Sequence, residues 1–257
     1  MSRIDPLVHA PSESTIVMSA AEADARAELA AFYRLVEHLG WGDGIYNHIA
    51  LRVPGEPEKF LIKPHALTYD EVTASGLVKV DARDDLDERA GVNKVGFTTH
   101  APILRARQDV NCTIHLHTIP IMAISAHPAG LRMVHQNAVS FFENVAYQDY
   151  EGAAEGVQAQ QRLIDDLGSN RVLVLRNHGA VITGSSVEQT FAMTLRFVQA
   201  CEVQLAVEAA GQGVVEIPPE VCRQVALQLE RHDQGRGGAD WPAWLRRLER
   251  LDPSYKQ

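Results

Sequence analysis

Cysteine is scarce in this chain of 257 residues. The three cysteines, Cys112, Cys201 and Cys222, form no closely spaced pair of the kind that binds zinc, and their odd number does not suit a disulfide framework. So little cysteine is typical of a reducing compartment, and we expect the protein to be cytoplasmic.

Long apolar runs and an excess of basic residues are also lacking. No uninterrupted apolar run reaches the roughly 20 residues that a membrane span needs, and the N-terminus lacks the apolar core of a signal peptide. Acidic residues outnumber basic ones by 33 to 24, for a formal net charge of -9. Nucleic acids and anionic membranes bind to basic patches, so we expect neither as a partner.

No linker rich in Gly, Ser or Pro divides the chain near its middle. A length of 257 residues with 46% hydrophobic content suits one large α/β domain. Predicted strands cluster with helices between them, which favours a three-layer α/β/α arrangement. We expect an N-terminal arm over 1–18 that is loose or packs on a neighbouring subunit, one domain over 19–235, and a tail helix over 236–257.

Two histidines stand two positions apart in the apolar stretch CTIHLHTIP, which runs from 112 to 120. Alternate residues of a strand point to one face, so His115 and His117 can supply two ligands to one metal ion. His178 is the best third ligand, because it sits at a glycine-assisted break between two predicted strands. Three ligands leave positions open, as in a catalytic site. On residue chemistry alone, a metal site and ordinary core histidines both remain open.

Six stretches in a specific order resemble the class II aldolase/adducin family, and together they span about 20 to 215. They are NHIALR (47–52), FLIKPHALTYDEVTASGLVKVD (60–81), GFTTHAPILRARQDVNCTIHLHT (96–118), AYQDYEG (146–152), RVLVLRNHGAV (171–181) and ACEVQLA (200–206). The tail WPAWLRRLERLDPSYKQ is similar to the bacterial adducin-like branch.

The resemblance implies an α/β/α fold around a mixed, largely antiparallel sheet. It implies a cyclic homotetramer with active sites between neighbouring subunits. It also implies one divalent ion per subunit (Zn, Mn, Co or Fe) on the residues that match the family's ligands, His115, His117 and His178.

The aldolases of the family use their ion as a Lewis acid that stabilises the enediolate formed when a carbon–carbon bond breaks. This chain departs from them. The position of their acid/base glutamate matches Gly96, and that of a proton-donating tyrosine matches Gln136. Their phosphate-binding turns match Asn47–His48 and His65–Ala66, where bulky imidazoles suit a phosphate poorly. These departures from the family therefore favour a smaller or aromatic, non-phosphorylated substrate such as a hydroxy or keto acid.

Other polar residues are candidates for the rest of the site. His48 and His65 could bind a substrate carboxylate or act as acid/base groups, or they could be loop histidines that hydrogen-bond to the backbone. Tyr147 could supply a proton, or it could shape a turn or a subunit contact. For substrate binding we consider Asn47, His100 and Gln136. His100 is predicted to open the helix before the His-x-His strand, where it could equally be a cap.

Three functions fit these patterns. The first is a divalent-metal-dependent lyase with aldolase-like carbon–carbon chemistry on a small hydroxy or keto acid. The second is a metal-dependent decarboxylase or non-haem iron oxygenase on an aromatic or keto acid. The third is a non-catalytic assembly module like the head of adducin, which need not keep the metal ligands.

Overall fold

The computed structural model of the chain describes residues 18–83, 91–152, 156–233 and 240–257. The predicted N-terminal arm over 1–18 lies outside these residues except for Met18. Within the described part, no helix combines the length and the apolar character needed to cross a membrane.

The described residues form one sheet of seven strands. The strands are β1 His48–Val53, β2 Glu56–Ile62, β3 Val78–Asp81, β4 Cys112–Leu116, β5 Val145–Gln148, β6 Val172–Leu175 and β7 Gly179–Gly184. Their order across the sheet is β3-β2-β1-β4-β7-β6-β5. Neighbours are antiparallel except β5 and β6, which are parallel. The predicted mixed, largely antiparallel sheet is confirmed.

Helices cover both faces of this sheet. They are α1 Ala20–His38, α2 Lys94–Ala106, α3 Ile119–Ala126, α4 Gln136–Val139, α5 Val157–Leu167, α6 Val187–Ala209, α7 Pro219–Asp233 and α8 Trp241–Leu251, with 3₁₀ turns at Tyr69–Glu71 and Pro253–Lys256. One apolar core lies between the sheet and α1, α3 and α6. A second core lies between the other face and α2 and α5. The α/β/α layering is thus confirmed.

Strand alternation decides which side chains face α2. In β4, Ile114 and Leu116 belong to the core under α1 and α6, so Thr113 and His115 point to the opposite face. In the neighbouring β1, His48 pairs with His115 in the antiparallel register. Polar groups from two adjacent strands therefore meet on the face that α2 covers.

Helix α2 begins earlier than its sequence suggests. Asn93 caps it by accepting a hydrogen bond from the Gly96 amide at 3.1 Å, so His100 is an interior residue and the prediction that it opens the helix is wrong. Glycine and β-branched threonine are weak helix formers. Here Gly96, Phe97, Thr98 and Thr99 are buried, and tertiary packing outweighs local propensity.

The tail contains the expected helix, α8. Its Trp241 and Trp244 rings lie 5.3 and 5.4 Å from the ring of Phe191 in α6, between ring centroids. Arg34 of α1 forms an ion pair with Asp252 at 2.8 Å. The tail helix therefore packs on the main core, and a domain boundary near 236 stays a prediction.

Candidate metal centre

Three chain segments bring the predicted histidines together. His115 lies in β4, His117 follows the end of that strand, and His178 lies in the turn between β6 and β7. The distances between their ring centroids are 4.5, 4.9 and 4.7 Å. One ring nitrogen from each lies within 4.8 Å of the other two, which is the arrangement of a three-histidine site.

Two hydrogen bonds from one backbone amide fix the turn that carries His178. The His178 amide donates to the Leu175 carbonyl at 3.1 Å and to the Ser125 hydroxyl at 3.2 Å. Gly179 follows, where a Cβ atom would overlap the Leu116 carbonyl oxygen and approach His117 Cδ2 to 2.8 Å. Glycine at 179 is what lets the turn come close to the end of β4.

Hydrogen bonds set which nitrogen of two of these rings is protonated. His115 Nδ1 lies 3.1 Å from the Ala180 carbonyl, and His117 Nδ1 lies 3.3 Å from Asp43 Oδ2. A carbonyl and a carboxylate can only accept, so each Nδ1 carries a hydrogen, and in the neutral rings each Nε2 keeps a lone pair. Sequence reasoning missed Asp43, which lies in an irregular segment far away in the chain.

The two Nε2 atoms face each other at 2.8 Å. Two lone pairs at that distance repel unless a positive species lies between them. On a tetrahedral ion with bonds of about 2.05 Å, two ligand nitrogens are roughly 3.4 Å apart. A shift of about half an ångström from the observed spacing gives that value, so the residues present fit a divalent ion.

Burial favours the neutral form of His115 and His178. It lowers the pKa of His115 well below the usual range, with smaller contributions from His117 and His178. It also lowers the pKa of His178 to about 4, and the proximity of His117 adds to this effect. Neutral imidazole is the form that binds metal, so protons compete weakly for His115 and His178 near neutral pH.

His48 lies directly beside this cluster. Its ring stacks on His115 with centroids 5.2 Å apart. Its Nδ1 lies 2.8 Å from His100 Nε2, and His100 Nδ1 lies 2.6 Å from the Thr113 hydroxyl. A Cβ atom at Gly96 would lie 2.7 Å from His48 Cδ2, so His48 fills the space that any side chain at 96 would need. Both ring nitrogens of His100 are engaged by protein, which leaves none for substrate.

Two other predicted residues lie in loops next to these elements. Asn47 has a φ of 60°, and both polar atoms of its amide are buried with no hydrogen-bond partner among the described residues. Such unsatisfied groups are rare in folded proteins and need an explanation. His65 Nδ1 lies 3.2 Å from the side-chain nitrogen Nδ2 of Asn93. This hydrogen bond connects the His65 loop to the start of α2.

Among the described residues, Tyr147 and Gln136 make no contact with the three histidines. The Tyr147 hydroxyl accepts a hydrogen bond from the Leu131 amide at 2.8 Å, and the Arg176 guanidinium lies 4.3 Å from its ring centroid. Gln136 is exposed at the start of α4. Tyr150 is the tyrosine near the cluster, with its ring centroid 6.3 Å from that of His178.

A cleft opens beside His178, between α2, α5 and the end of β5. Val95, Leu163 and Leu175 form its apolar wall, and Asp149, Tyr150 and Glu151 form its polar rim. The cleft gives the candidate centre an open side next to His178.

Comparison with known proteins agrees with the fold. Residues 27–205 match the family described as the Class II Aldolase and Adducin N-terminal domain. The crystal structure of an aldolase II superfamily protein from Pseudomonas syringae has a TM-score of 0.87 and 39% identity, with 94% of this chain and 98% of that one covered.

Two protein sequences show the breadth of the family. A Pseudomonas aeruginosa protein provisionally named an aldolase class 2 protein is 38% identical over 253 residues, which cover 96% of this chain and 97% of that protein. Alpha-adducin of Rattus norvegicus is 41% identical over 218 residues, which cover 83% of this chain but 30% of the adducin. This chain belongs to the class II aldolase and adducin family.

Proposed function

We propose that this protein is a divalent-metal-dependent lyase that acts on a small, non-phosphorylated hydroxy or keto acid. The observation that carries the proposal is the 2.8 Å approach of His115 Nε2 and His117 Nε2, since both atoms keep lone pairs. With His178 they would hold one Zn, Mn, Co or Fe ion per subunit. Such an ion supplies Lewis-acid polarisation of a substrate oxygen.

The neighbouring residues support an acid rather than a sugar phosphate. No carboxylate stands at Gly96, where the aldolases have their acid/base glutamate, and the His48 ring occupies that space. Imidazoles at His48 and His65 replace the small residues that would expose backbone amides to a phosphate. We propose that the side-chain amide of Asn47, which has no hydrogen-bond partner among the described residues, binds substrate.

The roles of other side chains are also proposals. We propose that His48 and His65 orient substrate or hold a proton. Tyr147 as a proton donor and Gln136 as a substrate-binding residue are proposals from the sequence alone, and their described contacts lie away from the three histidines. We further propose that the protein is cytoplasmic and that it forms a homotetramer. Light scattering coupled to size-exclusion chromatography would measure the number of subunits.

Two other functions compete with this one. A decarboxylase or non-haem iron oxygenase on an aromatic or keto acid would use the same three histidines, and a redox-inert ion would exclude the oxygenase. A non-catalytic assembly module is supported by the 41% identity to alpha-adducin. Such a module has no need for a bound ion, so metal content separates it from the enzymes.

Elemental analysis of protein purified without added metal tests the proposal. We expect about one divalent ion per subunit in the wild type and in His38→Ala, a surface histidine at the end of α1. His117→Ala should lose the ion. Full metal content in His117→Ala would refute the ligand assignment, and a metal-free wild type would favour the assembly module.

A substrate screen tests the second half of the proposal. The metal-loaded protein is assayed against sugar phosphates and against free hydroxy and keto acids. Turnover is expected only with the acids, and rapid cleavage of a sugar phosphate would overturn our interpretation of the loops at Asn47 and His65.

A further inference from the structure

A buried hydrogen-bonded chain connects β4, α2 and β1 behind the candidate metal centre. It runs from the Thr113 hydroxyl to His100 Nδ1 at 2.6 Å and from His100 Nε2 to His48 Nδ1 at 2.8 Å. Thr113 and His100 are fully buried, and His48 is 5% exposed. Water therefore has little part in deciding where the hydrogens of this chain lie.

One direction of hydrogen-bond donation along Thr113, His100 and His48 gives the buried hydroxyl of Thr113 and both ring nitrogens of His100 a partner. His100 Nδ1 is the one partner of the Thr113 hydroxyl among the described residues, so the hydroxyl must donate or leave its hydrogen buried without an acceptor. His100 Nδ1 then accepts, and the hydrogen of neutral His100 is on Nε2, which donates to His48 Nδ1. Neutral His48 must therefore carry its own hydrogen on Nε2.

This arrangement is the reverse of that in the neighbouring ligand rings. In His115 and His117 the partners of Nδ1 are pure acceptors, Ala180 O and Asp43 Oδ2, so Nε2 keeps its lone pair. In His48 the partner of Nδ1 is a donor, so Nε2 presents an N–H group. Three neighbouring imidazoles are thus divided into two metal-binding rings and one donor ring.

The Nε2 atom of His48 is free to act as that donor. It has no hydrogen-bond partner among the described residues, and its ring stacks on the ligand His115. Gly96 leaves space for the ring, with Nε2 3.2 Å from where a Cβ atom would stand. In this tautomer Nε2 offers no lone pair, so it is neither a fourth metal ligand nor a proton acceptor.

We propose that His48 donates a hydrogen bond from Nε2 to an anionic or carbonyl oxygen of the substrate, and that His100 and Thr113 are positioning residues that hold it in the donor tautomer. This inference rests on the proposed function, since it places an oxygen-bearing acid beside the three-histidine centre. It adds that the group that accepts a proton in the reaction lies elsewhere than on His48.

Solid-state NMR of sedimented protein with ¹⁵N-labelled histidine tests the tautomer whatever the size of the assembly. The His48 signals are assigned from the difference between wild type and His48→Gln, in metal-free and zinc-loaded protein. We expect a pyridine-like Nδ1 and a pyrrole-like Nε2 in both. A protonated Nδ1, or a zinc-induced shift at Nε2 that marks a fourth ligand, would overturn the inference.

Substitutions at Thr113 test the positioning role. Thr113→Val removes the donor at nearly constant volume, so His48 should become a mixture of two tautomers. Thr113→Ser keeps the hydroxyl and should restore the single wild-type pattern, and thermal unfolding confirms that both variants are folded. A single, unchanged tautomer in Thr113→Val would show that Thr113 and His100 do not set the state of His48.

Calorimetric titration of zinc-loaded protein with oxalate tests the donor role. His48→Leu, which has no donor, should bind oxalate roughly ten- to a hundredfold more weakly than wild type, as for a lost hydrogen bond to a charged group. His48→Gln keeps an N–H group and should lose less. Equal affinities of wild type and His48→Leu would overturn the donor role alone. A wild type that binds no oxalate would overturn the acid substrate and the donor role together.

Discussion

The close approach of Gly96 and His48 predicts that Gly96→Ala lowers the unfolding free energy of the wild type but raises that of a His48→Ala variant. A Cβ atom at Gly96 would lie 2.7 Å from His48 Cδ2 and 3.0 Å from Cγ, well inside the about 3.5–4.0 Å of an ordinary carbon–carbon contact. The ring cannot turn away freely, because its Nδ1 is bonded to His100 at 2.8 Å. Overpacking of this kind costs about 1–3 kcal/mol of unfolding free energy.

Helix propensity acts in the opposite direction. Gly96 is in the first turn of α2 with ordinary backbone angles, where alanine is favoured over glycine by up to about 1 kcal/mol. In the wild type, overpacking should outweigh this gain, and Gly96→Ala should destabilise. In a His48→Ala background the obstructing ring is gone, so the same substitution should stabilise by up to about 1 kcal/mol.

Urea unfolding of the four proteins measures this double-mutant cycle. Protein concentration is kept constant and a chelator is present, so that assembly and metal binding do not contribute. The expected coupling free energy between 48 and 96 is about 1–3 kcal/mol. Equal effects of Gly96→Ala in both backgrounds would refute the contact on which this account of His48 depends.

Three further predictions concern other parts of the molecule. Gly179→Ala should weaken zinc binding roughly tenfold or more in a chelator competition, because its Cβ would push against His117; unchanged affinity would contradict the account of the turn. Lys63→Met should lower the unfolding free energy by about 1–3 kcal/mol and speed amide exchange in the flanking loops. The reason is that the Lys63 ammonium donates hydrogen bonds to the Ile45 and Leu67 carbonyls at 2.8 Å. Wild-type exchange rates in the variant would contradict a stabilising role for these two hydrogen bonds. Burial, with Glu188 and Asp24 nearby, raises the pKa of Glu28 from 4.5 to about 7, so its favourable contribution is present below pH 4.5 and is lost as the pH rises through 7. Glu28→Gln should therefore stabilise the protein by about 1–2 kcal/mol at pH 8, after allowance for partial solvent screening, and by little at pH 4; the exposed Glu220→Gln is the control, and an equal gain at both pH values would refute the shift.

Local patterns were enough to select the three histidines, and the family resemblance then favoured a metal site over core histidines. The two-residue spacing of His115 and His117 places both on one face of a strand, and a break at Asn177–Gly179 was visible as a polar and glycine pair between apolar runs. The clustering of predicted strands with helices between them, and the ordered stretches that resemble the class II aldolase/adducin family, both led to the α/β/α fold. The histidine spacing and the strand break depend on backbone periodicity over a few residues, which the sequence carries directly.

The sequence by itself therefore determined the three converging histidines and the layered fold. Only the tertiary structure decided that α2 starts at Lys94, that Asp43 and Ala180 orient the ligand rings, and that Thr113 and His100 determine the tautomer of His48. The physical reason is range. These contacts join residues from 13 to 74 positions apart, and they form only where strand order and helix packing bring side chains within hydrogen-bond distance.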